Sequence, residues 1–401
     1  MKKKILFVNE SSKTQNLQYV LENIKEIWDM RFVGSEADIW NSLAEGNYNA
    51  IVYDLQTPEI NGIELLQEVS VRYPQLIRVV VVGSSDEELK LKMIRSNHQV
   101  ISKPFNSLSL KGLIDRSCKL RELLHNEELK RFVSGISHLP SLPSLYQQIV
   151  AEVQSPRVSI KRVADLIAQD VTMTAKILQL VNSAFFNLPR KIVNPQQAAI
   201  LLGIDILKGL VLHVHIFSSF VLDPRIEKFS IQKLAKHSLL VGKLARQIIL
   251  TETNDKTMEE NALIAGLLHD IGKLIIIQDP TRYNQVSAHC EARNCNRYQA
   301  EYEILGASHA EVGAYLLDLW GIPEAVVQAI AFHHNPIKSM ESNFSVLTAV
   351  HAANALVGSN NSGIEPSQLD LFYLLSIRKK ENVAKWVEIW NRMKSDAYTL
   401  K

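Results

Sequence analysis

The 401-residue chain contains only three cysteines, Cys118, Cys290 and Cys295, with no Cys-x-x-Cys pair. An odd count without metal-type spacing argues against a disulfide scaffold and predicts a reducing, cytoplasmic setting. Glycine (16) and proline (13) are sparse, and 46% of residues are apolar against 21% charged. This composition excludes collagen-like, fibrous and disordered chains. Neither charge sign is in excess: 44 basic and 42 acidic side chains leave +2, and residues 1–124 hold 16 of each. No field is directed at nucleic acid or an anionic membrane, so neither is expected as a partner.

Long apolar runs are missing as well. The run Ile5-Leu6-Phe7-Val8 behind the N-terminal lysines stops at Asn9 and Glu10, short of the roughly 7–15 residues of a signal core. Residues 198–222 are apolar but carry Asp205, Lys208, His213 and His215, which marks a buried helix and not a membrane span. At about 150 residues per domain the length predicts two or three domains. No internal repeat is visible.

The two halves differ in pattern. In residues 1–105, short apolar runs rich in β-branched residues (5–8, 50–53, 79–82, 100–101) alternate with amphipathic helical patterns such as 62–73 and 86–96. Doubly buried strands alternating with helices predict a doubly wound α/β domain with a parallel sheet, whose chemistry sits at the carboxyl ends of the strands. From about residue 108 the strand signal disappears and helical periodicity takes over. Leu110, Leu113, Ser117, Leu120 and Leu124 form a stripe that either packs home as the first domain's last helix or forms a dimer seam. Asp170 is placed to cap a helix, and Asn194-Pro195-Gln196-Gln197 combines an N-cap with proline at the first helical position. Trp386 and Trp390, four apart, are expected to seal a C-terminal helix against the core. His289-Cys290 and Cys295 are expected in a surface loop.

Asp54 closes the run 50–53, Asn9-Glu10 follows the first run, and Lys103 precedes Pro104 after the last. Carboxylates at one rim can hold a hard cation such as Mg²⁺, and a lysine neutralises a transferred phosphoryl group. Taken together, Asp54-Leu55-Gln56-Thr57-Pro58 through Gly62 and Ile101-Ser102-Lys103-Pro104-Phe105 resemble the receiver domain of bacterial response regulators, over about residues 1–120. The resemblance implies a flavodoxin-like five-stranded sheet, Asp54 as phosphoacceptor, and a pocket of Asn9, Glu10, Lys103 and Ser84 holding Mg²⁺. It also implies a histidine kinase or other phosphodonor. Two residues depart from the family: Asn9 stands where it has an acid, and Val82 where it has Ser or Thr unless Ser84 takes that place.

Four further segments each place histidine on an apolar face: Leu234, His237, Val241, Leu244, Ile248; residues 262–273 with His269-Asp270; Leu305, His309, Val312, Leu316, Leu319; and Val326, Val327, Ile330 before His333-His334. Burying so many imidazoles without partners would cost several kcal/mol, so a shared network or ligand is expected. Imidazole with carboxylate suits Fe, Mn, Zn or Ni. The His269-Asp270-Ile271-Gly272-Lys273 context resembles the HD superfamily of metal-dependent phosphohydrolases. A closer resemblance, over 135–357, is to the HDOD subgroup, through Leu139-Pro140-Ser141-Leu142-Pro143, Asp170-Val171-Thr172-Met173, Asn182-Ser183-Ala184, Gly266-Leu267-Leu268-His269-Asp270, His309-Ala310-Glu311-Val312-Gly313 and His333-His334-Asn335-Pro336. It implies an all-α bundle, metal ligands His237, His269, Asp270, His309, His333 and His334, and catalytic roles for Lys273 and Asp270. Asn354 departs, standing where the hydrolases have Asp.

The expected organisation is therefore a receiver (1–120), a helical connector (107–134), an HDOD domain (135–357) and a C-terminal helical extension (358–401). The expected function is a signalling regulator in which Asp54 controls an HDOD output that binds an unknown protein or nucleotide. The alternatives are a receiver-controlled phosphohydrolase and a scaffold with degenerate pockets; a homodimer is open.

Overall fold

The computed structural model describes residues 2–9, 21, 24–55, 62–73, 76–83, 99–124, 126–134, 136, 143–154, 159–183, 186, 191–226, 228–358 and 369–398. The chain divides into two compact units, 1–122 and 123–401.

In the first unit, β1 (Lys3–Val8), β2 (Trp28–Val33), β3 (Ala50–Asp54), β4 (Ile77–Val82) and β5 (Gln99–Ser102) form one parallel sheet in the order β2-β1-β3-β4-β5. This is the flavodoxin-like order, whose direction reverses between β1 and β3 and opens a crevice at their carboxyl ends. Alternation along the strands gives the sheet two apolar faces. Leu6, Val8, Ile51, Tyr53, Val80 and Val82 pack with Ile39 and Leu43 of α1 (Glu36–Glu45) and with Leu65, Leu66 and Val69 of α2 (Gly62–Arg72). Ile5, Phe7, Val52, Val79 and Val81 pack with Leu110, Ile114 and Cys118 of α3 (Ser107–Leu124). Leu113 packs against that second cluster, and Ser117, Leu120 and Leu124 are buried. The leucine stripe is thus spent inside the chain. The predicted helix over 86–96 lies outside the described residues.

The second unit is helical throughout: α4 (Glu127–Ser134), α5 (Ser144–Gln154), α6 (Ile160–Ala168), α7 (Val171–Val181), α8 (Pro195–Leu202), α9 (Ile204–Ser219), α10 (Ile231–Glu252), α11 (Lys256–Leu268), α12 (Ile271–Ile276), α13 (Pro280–Arg293), α14 (Arg297–Leu305), α15 (His309–Leu319), α16 (Glu324–Phe332), α17 (Val346–Gly358), α18 (Leu371–Ser376) and α19 (Val383–Tyr398). Local chemistry sets many of the ends. Asp170 caps α7 by accepting from the Met173 N–H, and Asn194 caps α8 ahead of Pro195. The residues α4 contributes pack on α14 and α15, and α19 packs on α10 and α17 with Trp386 and Trp390 buried. Among the described residues no helix is long and apolar enough to cross a membrane.

Three expectations are corrected. The run 262–273 is not one helix: α11 ends at Leu268, and α12 starts at Ile271, leaving His269-Asp270 at the break. The stripe from Leu305 to Leu319 is likewise broken, because Gly306 takes a left-handed φ of 74° and Ser308 forms a capping box with Glu311. His309 therefore opens a helix. His289 and Cys290 lie on α13 rather than in a loop, with His289 Nε2 2.6 Å from Glu303.

α9 buries His213, whose Nδ1–H donates to the Leu267 carbonyl at the end of α11 at 3.0 Å. Burial lowers its pKa to about 4. Because the folded value lies below the unfolded one, near 6.5, this stability is present above pH 6.5 and is lost as pH falls towards 4. The expected contribution is about 3 kcal/mol. Denaturant melts of wild type and His213→Gln between pH 4 and 7 should show a shallower pH slope for the variant; parallel slopes would contradict this.

Candidate functional site

The first unit places Asp54, the last residue of β3, and Asn9, immediately after β1, at the crevice, and both are buried. The Lys103 ammonium, just past β5, donates to Asp54 Oδ2 at 2.6 Å. β5 is brought alongside because Val82 pairs with Ser102 and the Lys103 N–H donates to the Val82 carbonyl at 2.9 Å. Strand-end position and parallel register thus bring Asn9, Asp54 and Lys103 to one rim. Val82 itself packs into the core face shared with α1 and α2. Gly62 lets α2 approach the sheet, since a Cβ there would meet the Tyr53 ring at 2.3 Å. Glu10 and Ser84 lie outside the described residues, as does the whole 56–61 segment.

In the second unit the five histidines and Asp270 come from α10, the α11–α12 break, the start of α15 and the end of α16, and they converge on Asp270. Its Oδ1 lies 3.2 Å from His309 Nε2 and 3.9 Å from His333 Nε2. Its Oδ2 lies 2.6 Å from Lys273 Nζ, 3.3 Å from His269 Nε2 and 3.8 Å from His237 Nε2. His334 Nε2 is 3.0 Å from His309 Nε2. All six side chains of the predicted set therefore share one site, with Lys273 beside it.

The backbone fixes which nitrogen each ring turns inward. His269 Nδ1–H donates to the Gly266 carbonyl at 2.8 Å, and His333 Nδ1–H to the Ile330 carbonyl at 2.7 Å. Both helices end there, so their last carbonyls are free to accept. The Nδ1 of His309 is held by Glu301 Oε2 at 2.5 Å, and the same oxygen accepts the His309 backbone N–H at 2.8 Å. With Nδ1 bonded outward, each ring turns its Nε2 toward Asp270, where a neutral imidazole would present a lone pair to the carboxylate. His269 Nε2, His333 Nε2 and Asp270 Oδ1 are buried and have no hydrogen-bond partner. Lone pairs facing a carboxylate repel unless a proton or a metal ion lies between them, and a divalent metal fits this donor set. Two groups of donors are close enough to hold an ion: Asp270, His309, His333 and His334, and His237, His269 and Asp270.

The electrostatics follow from burial and these neighbours. Burial opposes charge on Asp270, but His269 and Lys273 outweigh it and hold its carboxyl well below the usual range. Burial likewise opposes charge on His309, yet Glu301 raises its pKa. His333, enclosed with no acid in hydrogen-bond contact, is driven well below the usual histidine value by burial and by His269. Burial lowers His237 to about 4.

Several contributors escaped the sequence reading. Glu301 is fully buried on α14 behind His309 and is itself held by Arg297 Nε at 3.1 Å. His351 on α17 donates from Nδ1 to the His333 carbonyl at 2.7 Å, and its Nε2 accepts the Asp370 N–H at 2.9 Å. Glu301 sits eight residues before His309 across a helix break, a spacing that no single-helix pattern reveals. Asn354 Oδ1 lies 3.0 Å from His237 Nε2, so the departing residue faces the site.

Comparison with known proteins agrees with the two-domain organisation of sheet and helical bundle. A family model for the response regulator receiver domain matches residues 5–115, and one for the HDOD domain matches 139–336. The chain is a response regulator receiver domain followed by an HDOD domain. An uncharacterized protein of Treponema pallidum is 27% identical over 223 residues, covering 55% of this chain and 42% of that one. A candidate response regulator of Rickettsia felis, described as NtrX-like, is 26% identical over 164 residues, covering 40% of this chain and 34% of that one. The chain spans less than half the length of these curated relatives. The crystal structure of an HDOD domain protein of unknown function from Geobacter sulfurreducens superposes with a TM-score of 0.53 at 26% identity, covering 67% of this chain and 97% of that one. This architecture is that of a signal-transduction regulator.

Proposed function

We propose that the phosphorylation state of Asp54 sets the output of the HDOD unit, and that this output is the binding of a ligand or protein partner. The 2.6 Å contact between Lys103 and Asp54 carries the first half of this reading. A lysine there neutralises a phosphoryl group arriving on the carboxylate from a histidine kinase or another phosphodonor. Mg²⁺ would be held by Asp54 with Asn9 as a neutral oxygen ligand, a weaker set than two acids. Incubating the chain with acetyl phosphate and Mg²⁺ should add one phosphoryl group by intact mass, and Asp54→Asn should abolish it. Unchanged wild-type mass under saturating donor would make this a receiver fold without phosphotransfer.

Asn354 supports binding over hydrolysis. Where a metal-dependent hydrolase needs a carboxylate to help hold metal and activate water, an amide is bonded to His237. The HDOD site retains its imidazoles and Asp270, which suit Zn, Fe, Mn or Ni as a resident ion. A second reading, phosphoester hydrolysis, is favoured by Lys273, placed to contact a phosphate next to Asp270. A phosphate-release screen over nucleotides, with chromatography for the ring-opened product of cyclic dinucleotides, separates the two. Turnover that Lys273→Ala abolishes would establish the second.

A further inference from the structure

We propose that the HDOD site holds a single divalent transition-metal ion, on Asp270 Oδ1 with His309, His333 and His334, and that Lys273 and Asn354 close the His237–His269 half to a second ion. This deepens the metal reading above and rests on it.

The two carboxylate oxygens of Asp270 have different surroundings. Oδ2 already accepts from the Lys273 ammonium at 2.6 Å. A cation placed on that oxygen would stand beside an existing positive charge. The His237 Nε2 on the same side is engaged by the Asn354 amide at 3.0 Å. Whichever way the amide is turned, that nitrogen is used: as a donor to Oδ1, or as an acceptor from the amide N–H. His269 Nε2 is unpartnered, but its remaining neighbours on that side are an oxygen held by lysine and a histidine held by an amide. One free imidazole does not make a site.

The other half has the opposite character. Asp270 Oδ1 and His333 Nε2 are buried without hydrogen-bond partners, and His309 Nε2 is left facing inward by the bond from its Nδ1 to Glu301. Donor separations here are 3.0 Å (His334 to His309), 3.2 Å (His309 to Asp270) and 3.9 Å (His333 to Asp270). Four N and O ligands at about 2.1 Å in a tetrahedron lie about 3.4 Å apart, so small adjustments bring all four onto one ion. Glu301 behind His309, and the Ile330 carbonyl behind His333, are the outer partners that orient such ligands. His334, partly exposed, supplies the donor at the open side.

The test uses the full chain, stripped with chelator and titrated with Zn²⁺ and separately with Mn²⁺, reading stoichiometry by calorimetry and by elemental analysis after desalting. We expect one ion per chain. His334→Ala and His333→Ala should each weaken binding by about a hundredfold or more, the upper range seen for outer partners alone. His237→Ala should leave one ion bound, weakened by about tenfold, the lower end of the range for an outer partner. Asn354→Asp should raise the stoichiometry to two. Far-UV dichroism identifies any variant that fails to fold, and His334→Gln, at the open side, then replaces a misfolded His333→Ala. Two ions on wild type, loss of the ion in His237→Ala, its survival in the folded His333 and His334 variants, or one ion on Asn354→Asp would each overturn the assignment while leaving the metal reading intact. Binding of neither ion by wild type would instead remove the metal reading itself.

Discussion

Asp270→Ala is expected to lower divalent-ion affinity of the HDOD unit by at least about a hundredfold, the scale reached by removing outer partners of a metal site alone. Asp270 is the single carboxylate shared by both donor groups, and it is buried. Asp270→Asn keeps the shape but removes the charge, and should lose nearly as much, because neutral donors then face an unscreened cation. The stripped protein should tolerate either change far better than the metal-bound form. Without the carboxylate, the His269, His309 and His333 lone pairs lose the anion that they face at 3.3, 3.2 and 3.9 Å. Thermal melts with and without Zn²⁺ should therefore show the ion-dependent increase in wild type and none in the variants. An undiminished increase in Asp270→Ala would place the ion elsewhere.

Gly272→Ala should be the most destabilising single methyl in the helical unit. A Cβ at this position would lie 1.9 Å from the His309 carbonyl oxygen and 2.8 Å from the Gly313 nitrogen, both backbone atoms with no rotamer to yield. α12 and α15 would have to separate. Overpacking of this kind costs about 3 kcal/mol at the upper end of its usual range. The same displacement would draw His309 away from Asp270, so metal affinity should fall together with stability. Gly266→Ala is the comparison: its Cβ would meet Gly242 Cα at 2.4 Å, forcing α11 from α10. Urea melts followed by helical dichroism, paired with Zn²⁺ titration, test both. A stable Gly272→Ala with normal affinity would mean that the helices slide apart without disturbing the site.

Much of the receiver site was legible because it depends on local grammar. Short β-branched runs define strand ends, and a parallel sheet puts those ends on one rim, so Asp54, Asn9 and Lys103 could be grouped before any contact was seen. The histidines were legible for a related reason: a side chain on the apolar stripe of a helix points at the common core, and four such stripes must converge. The helix breaks were not. Gly306 and Ser308 carry the usual stop and start chemistry, yet the apolar spacing runs through them undisturbed and masks the break. At His269-Asp270 the spacing is equally continuous, and the helix ends where His269 and the distant His213 take the Gly266 and Leu267 carbonyls and Lys273 takes the Asp270 carboxylate.

What residue types and spacing decide here is membership: which residues lie inward, which half is sheet and which is bundle, and that one carboxylate serves many imidazoles. Tertiary structure alone decides the division of labour around that carboxylate. Which oxygen of Asp270 meets Lys273, which histidine Asn354 engages, and that Glu301 stands behind His309 all depend on side-chain torsions and on glycine-to-backbone approaches between helices distant in sequence. No periodicity encodes these, because a pattern of 3.6 residues fixes the face of a helix but not the sub-ångström distance at which two faces meet.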